Sequence, residues 1–202
     1  MKIVSLQAIE ALGNLMCYYN SDLNYIAYFH NFKNGKITES EYLRNEKCCF
    51  KRFLNEYKVA RNVKKNKVKE FMSFTKEWVL SENSSEVDKF AGILKEKGIT
   101  QDGKVMTSLA SKILFLNNPE TIIPIDTLNK RAVGEKSNIY SEFKAKVNLF
   151  ISENKKTIEE YLNSVNPLLS EVEVNFKSIE IEFDKYRITR FVDKLLWTKG
   201  KK

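Results

Sequence analysis

Lys112 and Asp126 are the two residues of this sequence whose types and spacing could do chemistry together. Between them lie an apolar strip at residues 113–116, the polar loop Asn117, Asn118, Pro119, Glu120, and a second apolar strip, Ile122, Ile123, Pro124, Ile125. Each is expected at the start of a helix, where free backbone N–H groups favour negative charge. A lysine amine in an apolar pocket loses its proton more readily and becomes a nucleophile. A carboxylate nearby stabilises positive charge developing on a sugar. The same two residues also read as a lysine whose amine reaches solvent from a helix and as an N-cap aspartate following a proline. On the residues alone both readings stand.

The elements that must position this pair are almost all helical. Apolar residues recur at helical spacing over 5–19, and Ser21 or Asp22 can cap a second helix through Phe32, ending near Asn34 and Gly35. Thr38 to Glu41 form a capping box for a helix reaching about Tyr57. Further helices are expected over 64–80 and from Ser84 to Gly98, a natural left-handed C-cap. A connector, 99–104, leads to a helix over 106–116, packed on the preceding one through Val87, Phe90, Leu94, Leu109, Ile113 and Leu116. Asp126 caps a short helix ending at Gly134. A long helix covers 139–165 and is closed by Asn166 and Pro167. The alternating segment 172–183 is read as helix from context, and a last helix reaches Trp197 before the basic tail 199–202. This predicts an all-α chain, one helical domain over 1–202 with room for two lobes.

Composition narrows the function classes. The chain is 202 residues, 43% hydrophobic and 12% aromatic, enough for a substantial core. No run of 18 apolar residues suggests a membrane span. The N-terminal stretch reads as a first helix and not as a signal peptide, so a cytoplasmic location is expected. Cys17, Cys48 and Cys49 give neither a disulfide framework nor a four-cysteine cluster. His30 is the only histidine and, beside Tyr25, Tyr28, Phe29 and Phe32, reads as structural. No metal or other cofactor is expected.

The net charge of +8 favours phosphate chains, although a lysine-rich surface alone is also ordinary. Arg61, Lys64, Lys65, Lys67 and Lys69 form a basic run before Phe71, Met72, Phe74 and Trp78. The run could hold a DNA backbone, while the aromatic residues, like Tyr18, Tyr19, Tyr25 and Phe29, read as core. Glu180, Glu182 and Asp184 read as a solvated face.

Residues 85–134 resemble the helix-hairpin-helix DNA glycosylase superfamily, the endonuclease III and 8-oxoguanine glycosylase group. In that family a hairpin Leu-Pro-Gly-Val-Gly-x-Lys precedes an apolar helix and Pro-Val-Asp-Thr-x-x-x-Arg. This chain has Thr107, Ser108, Leu109, Ala110, Ser111, Lys112, then Pro124, Ile125, Asp126, Thr127 and, near the family's arginine, Arg131. Ser108 and Ala110 stand where the hairpin glycines would be. The resemblance implies a glycosylase-like helical fold and base excision from DNA, with Lys112 as Schiff-base lysine and Asp126 as catalytic aspartate. It also implies phosphate contacts at Ser108, Ala110, Ser111 and Arg131, joined by the basic run Arg61, Lys64, Lys65 and Lys67. Duplex DNA, damaged or intact, is the expected partner, with no membrane. The alternative on the same fold is a non-catalytic module for DNA or a protein partner.

Overall fold

The structure, a computed structural model, describes residues 3–44 and 47–201. It is all-helical, with no strand among the described residues. The helices are α1 (Ser5–Lys33), α2 (Glu39–Arg44), α3 (Phe50–Glu56), α4 (Val68–Val79), α5 (Val87–Glu96), α6 (Thr107–Phe115), α7 (Thr127–Ala132), α8 (Tyr140–Asn163), α9 (Asn166–Glu173) and α10 (Phe183–Gly200). Among the described residues, no helix is long and apolar enough to cross a membrane.

The chain divides into two compact units. One is the middle of the sequence, residues 24–118; the other combines residues 1–23 with 119–202. The stretch 85–134 is therefore split, with Lys112 in the middle unit and Asp126 in the unit made by the two ends.

The middle unit is built on aromatic rings. Phe29, Phe32, Phe50, Phe53, Phe71, Phe90 and Phe115 are all essentially inaccessible. Phe32 stacks on Tyr42 at 4.6 Å, and Trp78 lies 5.2 Å from Phe90. Such offset and edge contacts add to the area effect of burying rings. Thr38 and Glu41 form the capping box: the Glu41 carboxylate accepts from the Thr38 N–H at 2.7 Å, and the Thr38 hydroxyl accepts from the Glu41 N–H at 3.2 Å. The helix opened there, described as Glu39–Arg44, does not reach Tyr57, because residues 47–49 are not helical. Residues 45 and 46 of that expected helix lie outside the described ones. A fresh helix starts at Phe50, with the Cys49 sulfur accepting the Arg52 N–H at 3.4 Å.

In the other unit α10 is the central helix, and α7 packs closely on it. Gly200 makes that approach possible: a Cβ there would sit 2.1 Å from the Leu128 carbonyl oxygen. The expected break in the first helix does not occur. The Ser21 hydroxyl donates back to the Tyr18 carbonyl at 2.9 Å, and the Asp22 carboxylate pairs with Arg190 at 2.6 Å instead of capping a new helix. Asn166 and Pro167 open α9 instead of closing α8, as suits a proline in a first turn. Residues 172–183 contain the end of α9, a short 3₁₀ turn at Val174–Phe176 and an extended stretch, not a continuous helix. The last helix runs on through Gly200.

Candidate functional site

α5 and α6 form the expected pair, and Val87, Phe90, Leu94, Leu109, Ile113 and Leu116 are all buried. Gly98 ends α5 in the left-handed region at φ 65°, as its place after the last helical turn requires. The connector then turns through Asp102 (φ 54°) and Gly103 (φ 58°) before α6 begins at Thr107.

The basic run lies against this connector. Val63 bridges Thr100 in antiparallel fashion, and the Lys64 N–H donates to the Ile99 carbonyl at 3.0 Å. The Gln101 amide donates to the Val63 carbonyl at 3.3 Å. The Lys64 amine reaches over the turn, 3.7 Å from where a Cβ on Gly98 would be. Lys58, Arg61, Lys64, Lys65, Lys67 and Lys69 occupy residues 58–69 without a single carboxylate. Lys67 pairs with Glu70, and Lys69 lies 3.9 Å from Glu39. These are the ion pairs of this run among the described residues, and none involves Arg61, Lys64 or Lys65. Arg61 and Lys65 are exposed and Lys64 half-buried. The neighbouring aromatics belong to the core: Phe71 is inaccessible and Trp78 buried.

Lys112 departs from its expected position. α6 starts at Thr107, within a residue of the helix expected over 106–116, and this places Lys112 in its last turn, not at an N-terminus. Its amine donates to the Tyr57 carbonyl at 2.9 Å, the C-cap residue of α3. A cation there satisfies a terminal carbonyl and complements the helix dipole. Ala110 and Ser111 are fully buried, and the Ser111 hydroxyl donates to the Ser108 carbonyl at 3.2 Å. Neither side chain offers surface to a phosphate; Ser108, half-buried, offers some. We predict that Lys112→Met, which keeps the stem and removes the amine, lowers stability by about 1–2 kcal/mol in chemical denaturation. An unchanged denaturation midpoint would show that the contact with Tyr57 contributes nothing.

Asp126 is the N-cap of α7, and its Oδ1 accepts the Asn129 N–H at 2.8 Å. Its carboxylate is half-buried. Asn129 is buried and donates both to the Pro124 carbonyl at 2.9 Å and to Asp193 Oδ1 at 2.8 Å. Asp193 pairs with Arg190 at 2.5 Å, and Arg190 with Asp22 at 2.6 Å. A buried polar chain thus joins α1, α10 and the turn that carries Asp126. Nothing in the sequence points to it: Asp22 and Arg190 are 168 positions apart. Arg131 is exposed along part of its length, and its guanidinium donates to the Gly200 carbonyl at 3.0 Å.

His30 is buried against the carbonyls of Leu116 and Asn117. Burial and the nearby Lys33 ammonium lower its pKa from 6.5 to about 4. An unfolded chain protonates this residue at higher pH than the folded one, so the unfolded state binds more protons between pH 6.5 and 4. Stability is therefore expected to fall as pH drops through that window, by roughly 3 kcal/mol in all. The Glu135 carboxylate, lowered to about 2 by the N–H groups of Ser137 and Lys136 and by Lys146, loses its contribution at lower pH, from 4.5 down to about 2. Urea midpoints at pH 7 and 5 should differ for the wild type and much less for His30→Gln. An equal slope in both would assign the effect to other groups.

Comparison with known proteins finds nothing similar to this chain: no family model matches, and neither does any curated protein or solved structure.

Proposed function

We propose that this chain is a DNA-binding protein of the helix-hairpin-helix glycosylase type, gripping the duplex backbone with residues 61–67 and the connector at 98–104. The observation that carries the reading is the pairing of Val63 and Lys64 with Thr100 and Ile99. It holds Arg61, Lys64 and Lys65 beside the connector that leads into α6, the helix whose residues Ser108, Ala110 and Ser111 the resemblance assigns to phosphate binding. Backbone contacts of this kind give affinity without sequence information.

The non-catalytic form of the reading is favoured by Lys112, whose amine is occupied at the end of α3. Base excision is the second reading, and Asp126 favours it: the carboxylate follows Pro124 and Ile125 in the family's register and stands, half-buried, at the start of α7. The primary test is a salt titration of duplex binding. Affinity should fall linearly in log–log form, with a slope of roughly −0.9 for each phosphate neutralised. Salt-insensitive binding, or none at low salt, sinks the DNA reading and favours a protein partner. Borohydride trapping on lesion-bearing duplexes separates the two forms: a covalent complex that vanishes in Lys112→Ala would restore the Schiff-base role.

A further inference from the structure

α1 is apolar on both sides over residues 5–19. Ala8, Ala11, Leu12, Leu15 and Tyr19 are buried, whereas Leu6, Ile9 and Met16 are 68%, 61% and 44% exposed. A helix that is apolar all round is normally covered all round. With Gly13, the three exposed residues form a stripe at intervals of three, four and three, the spacing of a seam between two helices. Gly13 opens outward too: a Cβ there would meet nothing within 4 Å. The stripe therefore carries a notch between Ile9 and Met16. The chain is 30% charged, yet residues 3–21 hold a single charged residue, Glu10, and Lys201 pairs with it at 2.9 Å.

We propose that this stripe is the seam of a two-fold dimer, covered by α1 of a second copy running antiparallel. The register follows from the spacing. Leu6 and Met16, like Ile9 and Gly13, are placed symmetrically about the level of Ala11. A two-fold axis at that level seats Ile9 of each copy in the Gly13 notch of the other and sets Leu6 against Met16, so large meets small at the centre. Charge selects the same occupant. On a molecule of net charge +8, two copies meet at this face without bringing unpaired like charges together. An anionic membrane would call for basic residues flanking the stripe, and residues 3–21 include no lysine or arginine. Leu6, Ile9 and Met16 expose roughly 300 Å² between them, a patch of the size that marks an interaction site. With the exposed Ser5, Cys17 and Asn20 beside them, a pair buries roughly 1,000 Å² in total, the lower bound of a specific contact. The dimer is accordingly weak, with a Kd of about 1–100 μM.

Sedimentation equilibrium of the full chain, from about 5 to 500 μM, should show monomer passing into dimer. Ile9→Glu sets a carboxylate at each notch and should leave monomer only. Gly13→Leu fills the notch and should weaken the dimer about tenfold or more. It should melt no lower than the wild type, since its side chain has open space and leucine is the better helix former. Leu149→Glu, at an equally exposed site on α8, should leave the dimer intact. Leu6→Cys with Met16→Cys, in a Cys17→Ser background, should be oxidised by copper phenanthroline to a covalent dimer. Leu6→Cys alone should not, because antiparallel pairing holds the two copies of residue 6 about 15 Å apart. A chain that stays monomeric throughout the range overturns the proposal, and so does equal weakening by Gly13→Leu and Leu149→Glu. Crosslinking by Leu6→Cys alone overturns the antiparallel register. A monomer that floats with phosphatidylserine vesicles, and no longer does so as Ile9→Glu, would assign the face to a lipid surface instead.

Discussion

Arg61→Glu, Lys64→Glu and Lys65→Glu together are expected to lower duplex affinity about a thousandfold at roughly 0.1 M salt, and to reduce the salt slope by about 2.7. Each neutralised phosphate contributes roughly 0.9 to the slope, so three lost contacts account for several hundredfold at that salt, and like-charge repulsion supplies the rest. The fold should tolerate the change, because the structural bond at this position is the Lys64 backbone N–H to Ile99, which a side-chain substitution leaves in place. A matched control separates local grip from bulk charge. Lys155→Glu, Lys156→Glu and Lys177→Glu take net charge from +8 to +2, three reversals of two units each, as the test set does. Binding measured by fluorescence anisotropy should suffer far more from the first set. Equal losses would mean that only net charge matters and that the connector face has no special part.

What the sequence discloses about this face is local, and what it conceals is not. Gly98 as a C-cap, the Thr38–Glu41 box and the Asp126 cap are each decided within a few residues, so spacing and side-chain chemistry reveal them. The buried faces of α5 and α6 follow from helical periodicity in the same way. Lys112 is placed by where α6 starts: a helix over 106–116 already puts the lysine near its end, so the reading of Lys112 as a helix-start residue fails although the helix itself is legible. The pairing of residues 63–64 with 99–100 joins segments with no pattern in common. Asp22 shows the same limit: a serine and an aspartate after a helical run look like a cap, and only Arg190, far along the chain, turns the carboxylate inward.

That inward turn makes Arg190 the residue whose loss should cost the fold most. Its side chain is 3% exposed and lies between Asp22 at 4% and Asp193 at 11%. Arg190→Met fills much of the same space but strands two buried carboxylates, for a cost of about 3–5 kcal/mol. A domain's whole stability is only about 5–15 kcal/mol, so much of it would be lost. The charge itself, and not the packing, should be responsible. Asp22→Leu, Arg190→Met and Asp193→Asn combined remove every charge and keep an amide oxygen to accept from Asn129, so the triple variant should recover to within about 2 kcal/mol of the wild type. Urea unfolding followed by Trp197 fluorescence in a Trp78→Phe background reads this unit alone, since Trp197 lies on α10 and Trp78 in the middle unit. A single substitution costing under about 1 kcal/mol would mean that water reaches the carboxylates. A triple variant as unstable as the single one would mean that shape holds α10 against α1 and the turn bearing Asp126.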